Sequence, residues 1–372
     1  MNILEIIPQG ELRSGGGIQM YRLSKSLSER GHKLFLIYKT PEENRKVDFE
    51  KIDKSGIDIS FMKIGRVRVN IETLKNIFKL RKFIKENKID IVHSHKGATD
   101  GMLVLATLGM NTPIVANRGV INLLNYFNGF KYRTKKIDRV VAVSTVVKEI
   151  MADSGKINRD KIEVIFGSVD IKEFSPERES TIREEFKIEN DKIVIGFAGN
   201  AGKRKGLVYL AEAFKSVAEK YKNVVLLLVG VNENDKDKLG FTGETADRVI
   251  CVGFRRDVAN CMAGMDIFVF PGIAEEGLTG TVREAAAVGL PVITSDIAGN
   301  RELIKNEETG LVVPIKDENA IVNAIVKLIE NRDMAEKMGR AARKFVEENM
   351  SNEIRAEKME KLYSEIIEKR KK

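Results

Sequence analysis

The chain has 372 residues, 43% hydrophobic and 31% charged, which excludes a disordered or fibrous protein and exceeds what one compact domain needs, so two domains are expected. Its two cysteines, Cys251 and Cys261, give neither a disulfide framework nor a zinc pattern and suit a reducing cytoplasm. The formal net charge of +9 is lopsided, with 31 Lys and Arg against 20 Asp and Glu in residues 1–175 and 32 against 34 in the remainder, so an acidic partner is expected for the front half.

In chain order, "MNILEIIPQG" opens as a strand over 2–7, with no basic segment ahead of its apolar run as a secretion signal would have. "RSGGGIQ" leads into the helical "MYRLSKSLSERG". The β-branched runs "KLFLIY" (33–38), "IDIVHSH" (89–95), "PIVA" (113–116), "RVVAVS" (139–144) and "KIEVIF" (161–166) then alternate with helical patterns. That alternation marks a parallel sheet covered by helices on both faces. The rhythm restarts where "KIVIGF" (192–197) passes through "AGNAGKRKG" into "LVYLAEAFKSVAEKY". Two similar Rossmann-like, doubly wound α/β domains are expected, over 1–172 and 173–350, facing each other across a central cleft. Polar residues 173–190, with Pro176, read as the linker. From 317 the pattern is helical to the end, and the final helix, about 351–372, is expected to pack back on the first domain. No apolar run reaches the roughly 18 to 20 residues that span a bilayer.

Ligands of open α/β sheets bind beyond the carboxyl ends of the strands, so the loops there carry the chemistry. Gly15, Gly16 and Gly17 precede a helix, where bare N–H groups favour an anion, although a plain tight turn explains them equally. They are no dinucleotide fingerprint, because Met20 stands where the third glycine would fall. In "GNAGKRKG" (199–206), Asn200 is followed by Lys203, Arg204 and Lys205 at the mouth of a helix. Three cations there oppose the helix dipole unless an anion such as a diphosphate sits among them, and Lys205 is the preferred ligand. In "EEGLTGTVREAAAVGLPVITSD" (275–296), Glu276 precedes a turn of Gly277, Leu278, Thr279 and Gly280. Glu284 follows Thr281 inside a helix that ends at Gly289. The amides of 278–281 are expected to face the cleft between these two carboxylates.

The E-x7-E block, continued by "AAAVGLPVITSDIAGNRELI" and "TGLVVP", resembles the retaining GT-B glycosyltransferases of family 4, the group 1 transferases. "SGGGIQMYRLSKSLSERGHKL", "IDIVHSH", "DRVVAVSTVVKEIM", "IEVIFGSVDIKEFSP" and "GFRRDVANCMAGMDIFVFPG" extend the likeness, in order, over nearly the whole chain. The resemblance implies a nucleotide-diphosphate sugar held by the second domain and an acceptor on the first. It puts Glu276 on the donor sugar and Glu284 on the ribose, while Lys205 and the Gly15–Gly17 amides neutralise the leaving diphosphate. Fixed donors aimed at that charge need no metal. No Asp-x-Asp pattern is present and the three histidines form no evident ligand set, so neither metal nor cofactor is expected. Two departures stand out. Asn200 occupies a place where many relatives carry arginine, and "Asn117-Arg118-Gly119" replaces a loop that often carries histidine. Arg118 there suits an anionic acceptor.

For the acceptor proton, His95 at a strand end and Asp100 five residues on are the candidate bases, each with a ready structural alternative. The segment 63–88 holds nine Lys and Arg and two Glu, with Ile71, Leu74, Ile77, Phe78, Leu80 and Ile84 at near-helical spacing. Taken alone it reads as a helix packing its apolar stripe on the sheet. A second basic stretch, "NLLNYFNGFKYRTKK" (122–136), reads as a long loop and adds Tyr126 and Lys131 to Asn117 and Arg118 as acceptor contacts. Together they point to reversible binding of an anionic membrane by the first domain, at the inner face of the cytoplasmic membrane. The leading expectation is a retaining transferase extending a cell-envelope glycan or glycolipid, such as the core or O-chain of lipopolysaccharide. A nucleotide-sugar epimerase on the same fold and a non-catalytic nucleotide-sugar sensor are the alternatives. Nucleic-acid binding is disfavoured, because aromatics are only 6% and the E-x7-E block would have no use.

Overall fold

The structure is a computed structural model. It describes residues 1–372 except 13, 14, 44, 45, 51, 275, 276 and 372, and omits the side chains of 46, 47, 126 and 127. Contacts divide the chain into Met1–Ser168 with Asn352–Lys372, and Val169–Ser351.

The first unit carries a seven-stranded parallel sheet. Its strands are β1 (Asn2–Ile7), β2 (Lys33–Lys39), β3 (Ile57–Met62), β4 (Ile91–Ser94), β5 (Ile114–Arg118), β6 (Ile137–Ala142) and β7 (Ile162–Val164), in the order β3-β2-β1-β4-β5-β6-β7. Helices α1 (Gly15–Glu29), α2 (Lys46–Glu50), α3 (Ile71–Glu86), α4 (Gly97–Ala106), α5 (Tyr126–Arg133) and α6 (Thr145–Gly155) connect them, and α14 (Asn352–Lys371) returns to this unit. Each face of the sheet is buried. On one, Ile3, Ile7 and Leu36 meet Met20, Leu23 and Leu27 of α1 and Met359 and Tyr363 of α14. On the other, Leu4, Ile6 and Val92 meet Leu80, Ile84, Met102 and Tyr132. Full burial of both faces explains the near-continuous apolar runs read in the sequence.

The second unit carries six parallel strands, β8 (Ile193–Ala198), β9 (Val224–Val229), β10 (Val249–Cys251), β11 (Ile267–Phe270), β12 (Val292–Ser295) and β13 (Leu311–Val313), in the order β10-β9-β8-β11-β12-β13. Its helices are α7 (Ile182–Glu185), α8 (Leu207–Lys220), α9 (Gly243–Asp247), α10 (Val258–Ala263), α11 (Gly280–Val288), α12 (Glu318–Glu330) and α13 (Arg332–Asn349). The apolar faces of α8 and α12 pack together, burying Leu210, Phe214, Ile325 and Leu328. Both units are therefore doubly wound parallel-sheet domains, as the strand rhythm indicates. In each the strand order reverses next to the first strand, between β1 and β4 and between β8 and β11.

Two local expectations are corrected. Residues 122–136 are not a long loop, because Asn125 caps α5, its Oδ1 accepting from Asn128 N at 2.7 Å. The stripe of α3 does not pack as a whole. Leu80 and Ile84 are buried and Ile77 partly so, but Ile71, Leu74 and Phe78 are 74%, 54% and 61% exposed. Only the C-terminal half of the helix lies over the sheet.

Candidate functional site

The reversal of strand order opens a crevice between the loops that leave β1 and β4, and another between those that leave β8 and β11, which is where open α/β sheets bind ligands. In the second unit, Lys203–Lys205 form a short 3-10 turn ahead of α8, at the mouth of that helix as the sequence suggests. Gly206 ends that turn in the left-handed region, at φ +67°, and a Cβ there would stand 1.9 Å from the Pro271 carbonyl oxygen. Lys203 and Arg204 are exposed, whereas Lys205 is half-buried with its Nζ 5.2 Å from the centre of the Phe270 ring. Asn200 turns back on its own loop, its Oδ1 accepting from Gly202 N at 3.1 Å. The loops after β8 and β11 are tied together by a bond from Ile273 N to Arg204 O at 3.0 Å.

Glu276 lies outside the described residues, but its flanks are defined. Gly277 and Thr279 are buried, Leu278, Gly280 and Thr281 half-buried, and Thr279 caps α11. Asn300, fully buried, accepts from Thr279 N at 3.0 Å and donates to Thr294 Oγ1 at 2.9 Å, pinning the turn to the end of β12. Sequence reading passed over Asn300, although an asparagine just beyond "TSDIAG" at a strand end was the available signal. In the first turn of α11 the buried Thr281 hydroxyl has no hydrogen-bond partner among the described residues. Such a group is one that a bound ligand can complete. Glu284 sits half-buried farther along α11.

In the first unit the glycines are the first turn of α1 itself, which starts at Gly15 rather than after Gly17. They are not equivalent. A Cβ on Gly17 would meet the carbonyl oxygens of Glu11 and Leu12 at 2.3 and 2.6 Å, so close packing requires this glycine, whereas at Gly15 nothing stands within 4 Å. At Gly16 a Cβ would approach Lys96 Cε at 3.4 Å. Lys96 caps α4 from the end of β4, and burial lowers its pKa. It was missed in the sequence, where it stands directly after the two histidines.

Asn117 and Arg118 are not in a loop either. They end β5, paired with Val141 and Ala142. Neighbouring residues of a strand face opposite sides, so the two side chains leave the carboxyl end of β5 on opposite faces of the sheet. Arg118 Nη2 donates to Asn122 O at 2.6 Å, while its buried Nε and the Asn117 Oδ1 lack partners among the described residues. The side chain of Tyr126 lies outside the described residues. Lys131, on α5, reaches Gly97 O and stands 3.1 Å from Asp100 Oδ2. Asp100 itself is fully buried and accepts from Ser94 Oγ at 2.6 Å. Tyr132 is also fully buried, and burial together with the Asp100 charge pushes its phenol pKa up.

His95 is nearly buried and does not stand alone. Its Nε2 lies 2.7 Å from Oε2 of Glu5, a residue on β1 opposite His93 in the register. His93 and His95 share a face, as their spacing predicts, with ring centres 4.2 Å apart. Burial alone would raise the Glu5 pKa, but His95 and His93 outweigh it and hold the carboxyl well below the usual carboxylate range. Burial and His95 push His93 down to about 4, against the pull of Glu5. Glu5, His93 and His95 bring three donor atoms within 4.8 Å of one another, so two of the histidines do form a cluster with metal-ligand chemistry, contrary to the sequence reading. The third, His32, is elsewhere, against Glu360 at 2.8 Å.

Two doubly wound units with glycine turns and cations at the strand-order reversal define a GT-B type of architecture. The model of the "Glycosyltransferase Family 4" matches residues 13–173, and that of the "Glycosyl transferases group 1" matches 178–345. The chain belongs to this glycosyltransferase family. It is 32% identical over 235 residues to the capsular polysaccharide biosynthesis glycosyltransferase CapM of Staphylococcus aureus, a match covering 61% of this chain and 62% of that protein's length. It is 26% identical over 323 residues to the UDP-Gal:alpha-D-GlcNAc-diphosphoundecaprenol alpha-1,3-galactosyltransferase of Escherichia coli, covering 80% of this chain and 81% of that one. In fold it is similar to a glycosyltransferase from Rickettsia africae, with a TM-score of 0.85, 24% identity and 98% of both chains covered.

Proposed function

We propose that this protein transfers a sugar from a nucleotide-diphosphate sugar to a cell-envelope glycan or glycolipid, with retention of configuration and without a metal. The observation that carries the donor half is the pair of joined loops after β8 and β11. One brings Lys205 to the reversal point, and the other presents the N-terminal turn of α11 with a hydroxyl that has no partner among the described residues. In this reading Lys205, the 278–281 amides and Thr281 meet the diphosphate, with exposed Lys203, Arg204 and Asn200 at its edge. Glu276 meets the sugar and Glu284 the ribose. Fixed cations and amides stabilise the negative charge on the leaving phosphate, which is where an enzyme of this kind gains most. The names of the S. aureus and E. coli relatives support an envelope acceptor. On the first unit, His95 and Asp100 stay the candidates for taking the acceptor proton, Arg118, Lys131 and Asn117 for holding the acceptor, and the Gly15–Gly17 amides for an anion.

A thermal-shift panel of UDP, GDP, ADP and CMP is expected to give one stabilising nucleotide. The matching sugar nucleotide should then yield a glycosylated acceptor with the donor's anomeric configuration. Isomerisation of the donor without transfer would overturn this reading in favour of an epimerase, and stabilisation by none of the four would remove its donor half.

The membrane part of the reading rests on the exposed half of α3 and the segment before it. Val67, Val69, Ile71, Leu74 and Phe78 are exposed alongside Arg66, Arg68, Lys75 and Lys79. Each apolar side chain gains about 1.5 to 3 kcal/mol when fully buried, and each cation about 1 kcal/mol near an anionic surface. Among the described residues no helix is long and apolar enough to cross a membrane, so the contact proposed is with its surface. The protein is expected to float with phosphatidylglycerol liposomes at low salt, less so at moderate salt. Replacing Ile71, Leu74 and Phe78 together by Ser should abolish flotation without lowering Tm, because none of the three supports the core. Absence of wild-type binding at both salts would refute this.

A further inference from the structure

Strand β1 places Ile3, Glu5 and Ile7 on one face of the sheet, and the two isoleucines pack into the layer formed with α1 and α14. Glu5 is therefore a carboxylate in the middle of an apolar row, fully buried. A charge is held there only if partners compensate its lost solvation, and those partners come from distant parts of the chain. His95 meets Oε2 at 2.7 Å. Tyr363, from α14, lies with its hydroxyl 2.7 Å from His93 Nδ1 and 3.4 Å from Glu5 Oε1. The His93 ring, fixed by that bond, packs on the His95 ring. Arg355, also on α14 and buried, feels the Glu5 charge, which opposes the lowering of its pKa by burial, and bonds Gln19 O and Oε1, both at 2.9 Å.

We propose that Glu5 and Tyr363 form a positioning unit for His95, Glu5 holding the proton on Nε2 and Tyr363 holding the His93 ring against it, so that Nδ1 is left for a ligand at the end of β4. A carboxylate bonded to one imidazole nitrogen fixes both the tautomer and the ring orientation, and the other nitrogen is then the one that accepts a proton. The last helix of the chain thus completes a site built by the first and fourth strands. Neither Glu5 nor Tyr363 touches substrate in this arrangement; both act through His95. The inference rests on the reading that His95 serves the acceptor side of the transfer, and the experiment separates the two.

The chain has only three histidines, so 15N-histidine labelling of the full-length protein resolves each ring. His95 is expected to show a protonated Nε2 and a bare Nδ1, and this signature should be lost in Glu5→Gln and broadened in Tyr363→Phe, which keeps the ring and removes one hydroxyl. In transfer assays with UDP-galactose, or with the hexose nucleotide that the panel selects, His95→Ala should lower kcat by about 10-fold or more, and Glu5→Gln and Tyr363→Phe by about 3- to 10-fold with KM nearly unchanged. Adding Glu5→Gln to His95→Ala should change nothing more, because residues acting through one group are not additive. If His95→Ala leaves kcat intact, the acceptor-side reading fails. If His95→Ala lowers kcat while Glu5→Gln is silent or additive, the positioning role alone fails. Stoichiometric zinc in the purified protein, lost in Glu5→Gln, would overturn the inference in favour of a metal centre. Should Glu5→Gln not fold, Tyr363→Phe carries the same comparison.

Discussion

Glu276→Ala is expected to lower kcat by about 100-fold or more while nucleotide affinity stays within about threefold. In the transition state of glycosyl transfer, positive charge grows on the sugar ring and negative charge on the departing phosphate. A carboxylate that meets the sugar is strengthened as that charge develops, and it makes no contact with the base or ribose. Its removal is thus felt in kcat, whereas loss of a contact to the ribose is felt already in the ground state. Glu284→Ala should give the opposite split, with weaker nucleotide binding and a smaller effect on kcat. Buried Asn300 ties Thr279 N, three residues beyond Glu276, to the end of β12, which fixes the start of α11. Titration with the stabilising nucleotide beside steady-state kinetics checks the pattern. Equal losses of affinity and kcat for Glu276→Ala would contradict the assignment of this carboxylate to the sugar.

The parts of this protein that could be read from sequence are those fixed by local pattern. Apolar runs such as "NILEII" and "KIVIGF" announced buried parallel strands because both faces of each sheet are covered, and glycines after them marked the loops where ligands bind. The parts that escaped depend on register and return paths. Glu5 looks anomalous in its strand, but only the alignment of β1 with β4 brings it beside His93 and His95, and only α14 supplies Tyr363 from 358 residues away. Asn300 and Lys96 likewise gain meaning from neighbours distant in sequence. The errors were of another kind. A 3.6-residue stripe in α3 shows that one face is apolar, not how much of it the sheet can cover. In 122–136, polar and aromatic residues masked a helix whose start is set by one side-chain cap, that of Asn125.

Gly206→Ala is expected to destabilise the second unit by about 3 kcal/mol or more and to weaken nucleotide binding by about 10-fold, although the substitution adds one methyl group. Two costs combine. At φ +67° an L-residue is held in the left-handed region, worth about 1 to 2 kcal/mol. The new Cβ would also lie 1.9 Å from the Pro271 carbonyl oxygen, a backbone atom that no rotamer change can move aside. The loops after β8 and β11 would have to separate, and the Ile273 N to Arg204 O bond that joins them would stretch or break. Lys205 would then leave its position beside Phe270, removing a charge-assisted contact worth about 1.5 to 3 kcal/mol from any anion held there. Gly202→Ala is the control. Its φ is −64° and its Cβ would meet the Asn200 side-chain oxygen at 2.8 Å, which can rotate away with the loss of one exposed bond to Gly202 N, so stability should change by about 1 kcal/mol or less. Urea midpoints and nucleotide titrations on the two variants measure the difference. Equal behaviour would mean that the close approach of these loops does not hold the cationic turn in place.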